Sequence, residues 1–90
     1  MKITVKYLGA FTDAAASKQE TFELEGASVG SLVDLMLERN GEKFRELMID
    51  PSTGTPRGGV TLLVNAHRRD MDYGLSDGDE VALLTPVAGG

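Results

Sequence analysis

Apolar and polar residues alternate along several short stretches of this chain and fall into helical spacing along one long stretch. Ile3, Val5 and Tyr7 alternate with Lys2, Thr4 and Lys6, the period-two pattern of a strand with one buried and one wet face. Leu8-Gly9-Ala10 interrupts it. Phe11 to Ser17 is a connection, either a plain loop or a short turn over Ala14-Ala15-Ala16 capped by Asp13. Glu20, Phe22 and Leu24 then alternate with Thr21 and Glu23; strands adjacent in sequence usually pair, so an antiparallel hairpin is predicted. Val29, Leu32, Val33, Met36 and Leu37 recur at helical spacing behind Ser28, whose hydroxyl suits an N-cap. Gly30 falls in the first turn, where glycine matters least to a helix, and Asn40-Gly41 is a usual helix end. The apolar face of this helix is expected to pack on the hairpin.

Glu42 to Met48 repeats the helical pattern more weakly, with Phe44, Leu47 and Met48 inward. Residues 49–59 are dense in turn formers and read as a long, mobile surface loop. Gly54, Gly58 and Gly59 are a poor phosphate cradle, because no lysine follows at P-loop spacing and no helix follows at all. Val60 to Asn65 is a third strand, with Leu62 and Val64 on one side and Thr61, Leu63 and Asn65 on the other. Asn65-Ala66-His67 reads as a turn, and Arg68 to Asp72 as a short edge segment whose charges deter edge-to-edge pairing. Ser76-Asp77-Gly78-Asp79 is a tight turn. Glu80 to Thr85 is the last strand, ended by Pro86, which has no N–H to donate. Val81 and Leu83 would supply core or docking surface. This order fits an α+β fold of the β-grasp type, a mixed four- to five-stranded sheet packed on one main helix, its first and last strands parallel at the centre. The expected division is a β-grasp domain over 1–85 and a flexible Gly-Gly tail over 86–90.

Composition narrows the chemistry. There are no cysteines, which excludes disulfides, a thiolate nucleophile and cysteine-ligated metal. A net charge of −5 and the lack of any basic stripe argue against nucleic-acid binding; an acidic surface suits solubility, or a basic groove on a partner protein. No run approaches the length of a membrane span, and Met1-Lys2-Ile3-Thr4-Val5 is not a signal peptide, so a cytoplasmic location and no membrane partner are expected. His67 has no histidine or cysteine partner, and Asp77, Asp79 and Glu80 lack calcium-loop spacing, so no metal is expected. Met36 and Met48 read as core filler. The remaining feature is Gly89-Gly90. A terminal carboxylate with no side chain within two residues can enter a slot that any Cβ would block.

Leu63-Val64-Asn65 before a turn, then Leu75-Ser76-Asp77-Gly78-Asp79-Glu80-Val81-Ala82, then Thr85-Pro86-Val87-Ala88-Gly89-Gly90, resemble the MoaD/ThiS family of ubiquitin-like sulfur carriers. The ending is most similar to the MoaD branch, the small subunits of molybdopterin synthase. Two positions depart from the family pattern: Ala66 stands where glycine is frequent, and Thr85 where a second proline is frequent. The segment 49–59 is similar to that of longer relatives, including carriers that feed cysteine synthesis and small archaeal modifier proteins.

The resemblance implies a carrier rather than an enzyme, with no bound cofactor. A partner adenylating enzyme of the ubiquitin-activating, MoeB/ThiF-like type would use ATP to convert the Gly90 carboxylate into an acyl-adenylate. A sulfur donor would then displace AMP and leave a thiocarboxylate. A MoaE-like large subunit is the implied acceptor partner in the molybdopterin branch. Pro86, Val87, Ala88 and Gly89 would be the partner-binding tail, roughly 17 Å long when extended. Three other functions remain open: a sulfur carrier for another pathway, cysteine synthesis or tRNA thiolation; a modifier joined through Gly90 to protein lysines; and an interaction module whose tail is incidental.

Overall fold

The structure is a computed structural model that describes residues 1–85; the expected tail over 86–90 lies outside the described residues. Strands β1 (Lys2–Tyr7) and β2 (Gln19–Glu23) form the antiparallel hairpin, with Ile3 opposite Phe22. Strands β3 (Thr61–Val64), β4 (His67–Arg68) and β5 (Glu80–Leu84) complete a five-stranded sheet in the order β2-β1-β5-β3-β4. β5 runs parallel to β1 and antiparallel to β3, so the last strand occupies the centre as expected. Ile3, Val5, Tyr7, Phe22, Leu62, Val64, Val81 and Leu83 point into one core, which settles Val81 and Leu83 as core residues rather than docking surface. The sheet is the predicted β-grasp.

The main helix α2 (Val29–Met48) covers that core with Val29, Leu32, Val33, Met36, Phe44 and Met48. Ser28 Oγ accepts the Ser31 N–H, the expected N-cap. The expected end at Asn40-Gly41 is present as a break inside the element: Gly41 has φ 78° and ψ −167°, outside helical space and natural only to glycine. Asn40 Nδ2 donates to the Met36 carbonyl at 2.9 Å and to Tyr7 Oη at 3.2 Å, while its Oδ1 accepts the Ala16 N–H at 2.8 Å. The break re-aims the second segment, so that Phe44 meets Tyr7 edge-on at 5.4 Å and Phe11 at 5.0 Å.

Four expectations are corrected. The short helix α1 is Phe11–Ala14, and Asp13 lies within it instead of capping an alanine turn. The fully buried Phe11 ring sets its position, through contact with Phe44. His67 belongs to β4, opposite Val64, and not to the turn. The edge strand stops at Arg68, and Arg69 instead lays its guanidinium 4.6 Å from the centre of the Tyr73 ring. The segment 49–59 is not an open loop: Ile49 bridges Pro56, Asp50 pairs its N–H with the Thr55 carbonyl at 2.8 Å, and Arg57 donates from Nε to the Glu46 carbonyl at 2.7 Å.

The β3–β4 turn consists of Asn65 and Ala66 at φ 49° and 70°. Two successive positive φ values are the requirement of the hairpin turn whose twist matches its strands, and glycine is the preferred second residue. Ala66 therefore holds its Cβ in a left-handed conformation that costs an L-residue roughly 1–2 kcal/mol. Ala66→Gly should raise the unfolding free energy by about 1 kcal/mol, seen as a higher urea midpoint at unchanged slope; a lower midpoint would contradict the strain.

Burial pushes the Tyr7 hydroxyl up to about 12, against the opposing hydrogen bond from Asn40. The folded state thus favours the neutral phenol, and that contribution is complete below the unfolded value near 10 and is lost as pH rises through about 12. Stability should fall across that window, and Tyr7→Phe, which cannot ionise, should flatten the decline; equal declines in both proteins would assign it to other groups.

Candidate functional site

Asn65, Ser76, Asp77 and Asp79, four of the residues that carry the family resemblance, converge at the head of β5. Asn65 reaches across to it three times. Its backbone N–H donates to the Glu80 carbonyl at 2.7 Å, its Oδ1 accepts the Glu80 N–H at 3.0 Å, and its Nδ2 donates to Asp79 Oδ1 at 2.9 Å. Asp79 Oδ2 accepts the Ser76 N–H at 2.8 Å and closes the tight turn. The same turn grips β1: Lys2 donates its N–H to Asp77 Oδ1 at 2.7 Å, Gly78 donates to the Lys2 carbonyl at 2.8 Å, and Thr4 donates to the Asp79 carbonyl at 3.2 Å. These carboxylates are occupied as acceptors for the turn and its neighbours, and among the described residues no group of three or more His, Cys, Asp or Glu is placed to hold a metal ion. The motif is a clasp that fixes the register of β5 against both neighbours.

The other end of β5 precedes the predicted site in sequence. Pro86, Val87, Ala88, Gly89 and Gly90 lie outside the described residues, so the chain is followed to their root at Thr85. The last β1–β5 bond is the Leu8 N–H to the Leu83 carbonyl at 2.9 Å. Leu8 is 46% exposed, one of two large apolar side chains left open to solvent among the described residues. On the outer face of the sheet, away from the core, Ala82 lies between Lys6 and Leu63, and Leu84 lies opposite Thr61. Leu63, Ala82 and Leu84 are half-buried there. Lys6 and Glu80 flank this strip with an ion pair of 3.7 Å, and a shallow depression of about 470 Å³ lies over Leu63, Asn65, Ala66, Glu80 and Ala82. An apolar strip with a charged rim is suited to docking another protein.

Sequence reasoning did not single out this outer strip. The signal lay in strands β3 and β5 having apolar residues at both phases, Leu62 beside Leu63 and Leu83 beside Leu84, where one-sided burial needs only alternate positions. His67 is exposed, as a plain surface histidine would be. No described helix is long and apolar enough to cross a membrane.

The ThiS family model matches residues 5–90. The chain belongs to the ThiS family. It is 30% identical to Ubiquitin-related modifier 1 of Schizosaccharomyces pombe over 102 residues, spanning all of both chains. A Pyrococcus furiosus protein described as subunit 1 of molybdopterin converting factor shares 34% identity and superposes with a TM-score of 0.79 over 97% of this chain and 99% of that one. SAMP1 from Haloferax volcanii, at 22% identity, shares the fold with a TM-score of 0.85 over the whole of both chains. The family is therefore one of small ubiquitin-like sulfur carriers and modifiers, and its β-grasp is the fold found here.

For a ThiS-family member, the clasp makes the strand before the tail a fixed base. Asp79→Ala deletes two acceptor sites and leaves the Ser76 N–H and Asn65 Nδ2 without their partner. It should lower the unfolding free energy by about 1–2 kcal/mol in urea titration; an unchanged midpoint would show that the clasp adds nothing to the sheet.

Proposed function

We propose that this protein is a sulfur carrier that bears a thiocarboxylate on Gly90. The observation that carries the reading is the family match through residue 90, which includes Gly89 and Gly90 in the pattern rather than leaving them as an appendage. A carboxylate is a poor electrophile, so the proposal requires an ATP-dependent partner. One Gly90 carboxylate oxygen attacks the α-phosphate of ATP, pyrophosphate leaves, and an acyl-adenylate forms. Hydrosulfide adds at the carbonyl carbon, the bond to AMP breaks, and AMP departs with that oxygen. The product is a thiocarboxylate whose sulfur is a nucleophile for a later acceptor. The cysteine-free chain needs no thiol of its own for any of these steps. Its share is presentation: a rigid body, an apolar strip for docking, and an end slender enough to be enclosed away from water.

The first candidate for the acceptor is a molybdopterin precursor held by a MoaE-like larger subunit, supported by the 34% identity to a protein described as one subunit of molybdopterin converting factor. A second reading, transfer of Gly90 to protein lysines, is favoured by the full-length likeness to Ubiquitin-related modifier 1. Both pass through the same adenylate, so the two are separated by product. Intact mass after incubation with the cognate activating enzyme, ATP and sulfide should show exchange of one terminal oxygen for sulfur. Cellular lysines joined by an isopeptide bond to the carboxyl of Gly90, and carrying the tryptic segment 70–90 as the branch, would support the modifier reading instead.

Gly90→Ala should largely abolish adenylation while leaving the thermal unfolding curve in place, because its methyl group obstructs an enclosing slot. One residue appended after Gly90 should block activation as well. Pyrophosphate exchange at the wild-type rate in either variant would count against a terminal slot.

A further inference from the structure

We propose that Gly9 and Thr85 form a positioning pair that sets the direction in which the chain leaves β5. The inference rests on Gly90 being the reacting end. Gly9 has φ 58°, and a Cβ built on it would lie 3.2 Å from the Thr85 carbonyl oxygen, 3.5 Å from Thr85 Oγ1 and 3.6 Å from the Thr85 nitrogen. The turn after β1 thus packs its bare backbone against the last described residue of the chain, on the side where β1 has just stopped pairing.

The two partners are not equally free to yield. Gly9 is anchored: its carbonyl accepts the Thr12 N–H at 3.1 Å, the Leu8 carbonyl accepts the Phe11 N–H at 3.2 Å, and Thr12 Oγ1 donates to the Tyr7 carbonyl at 3.2 Å. Phe11, two residues on, is fully buried. Thr85 lies past the last paired residue of β5, and its buried Oγ1 has no hydrogen-bond partner among the described residues. A side chain at position 9 would therefore move Thr85 rather than the turn. Gly9 acts on the end only through Thr85; neither residue touches the reacting carbonyl.

Gly26 provides the control. It also has a positive φ, 47°, but nothing lies within 4 Å of its would-be Cβ. Alanine at either position carries the left-handed backbone penalty; only at Gly9 does it also press on Thr85. Asparagine, which tolerates positive φ better, separates the two effects at each site. With the cognate activating enzyme, Gly9→Ala and Gly9→Asn should lower kcat for pyrophosphate exchange about tenfold with KM within about twofold, since the docking strip is unaltered. Gly26→Ala and Gly26→Asn should leave both parameters unchanged. In the free proteins, residual dipolar couplings should show the Thr85 N–H reoriented relative to that of Leu83 in the Gly9 variants alone. Equal kcat in the Gly9 and Gly26 variants, or unaltered Thr85 couplings, would overturn the positioning role. A wild-type chain that no activator adenylates would instead sink the functional reading, and the couplings would still decide the geometry.

Discussion

The parallel pairing of β5 with β1 is the constraint on which the rest of the structure depends. β1 pairs with β2 on one side, β3 pairs with β4 on the other, and only β5 joins the two pairs into one sheet. Parallel neighbours need a long crossover, and the chain between β1 and β5 supplies it with the whole of α2 and the β3–β4 hairpin. A slip of one residue in β5 would turn Val81 and Leu83 out of the core and Ala82 and Leu84 into it. The Asn65–Asp79 clasp and the hydrogen bonds from the tight turn to Lys2 and Thr4 act at the strand's head to prevent that slip.

The part of the family motif that the structure describes therefore gathers at the head of β5. Asn65, Ser76, Asp77 and Asp79 identify the chain as a relative, yet their geometry is architectural. They secure the base from which the final residues depart.

Much of the fold was legible because burial in a one-sheet, one-helix domain imposes simple periods. Ile3-Val5-Tyr7 and Val81-Leu83 alternate because one face is covered, and Val29 to Met36 repeats at helical spacing for the same reason. What escaped depends on contacts between residues distant in sequence. Phe11 is drawn into a helix by Phe44, where local pattern suggested only a connection near Asp13. The bonds that fold residues 49–59 run to Met48 and Glu46 in the preceding helix, and composition alone reads such a stretch as open. The departure at Ala66 was visible as a letter; its meaning required the φ of 70°. Residues 86–90 were read entirely from sequence and resemblance, and Gly9 against Thr85 is a contact across 76 positions that no local pattern announces.

Placing the keystone strand last in the chain has a consequence for biosynthesis. While β5 is still inside the ribosome, the emerged portion holds two strand pairs, β2-β1 and β3-β4, each with an unpaired inner edge. Neither can close the sheet until β5 has emerged. A product terminated before β5 would lack the sheet's joint and keep both inner edges open, which exposes it to aggregation and proteolysis.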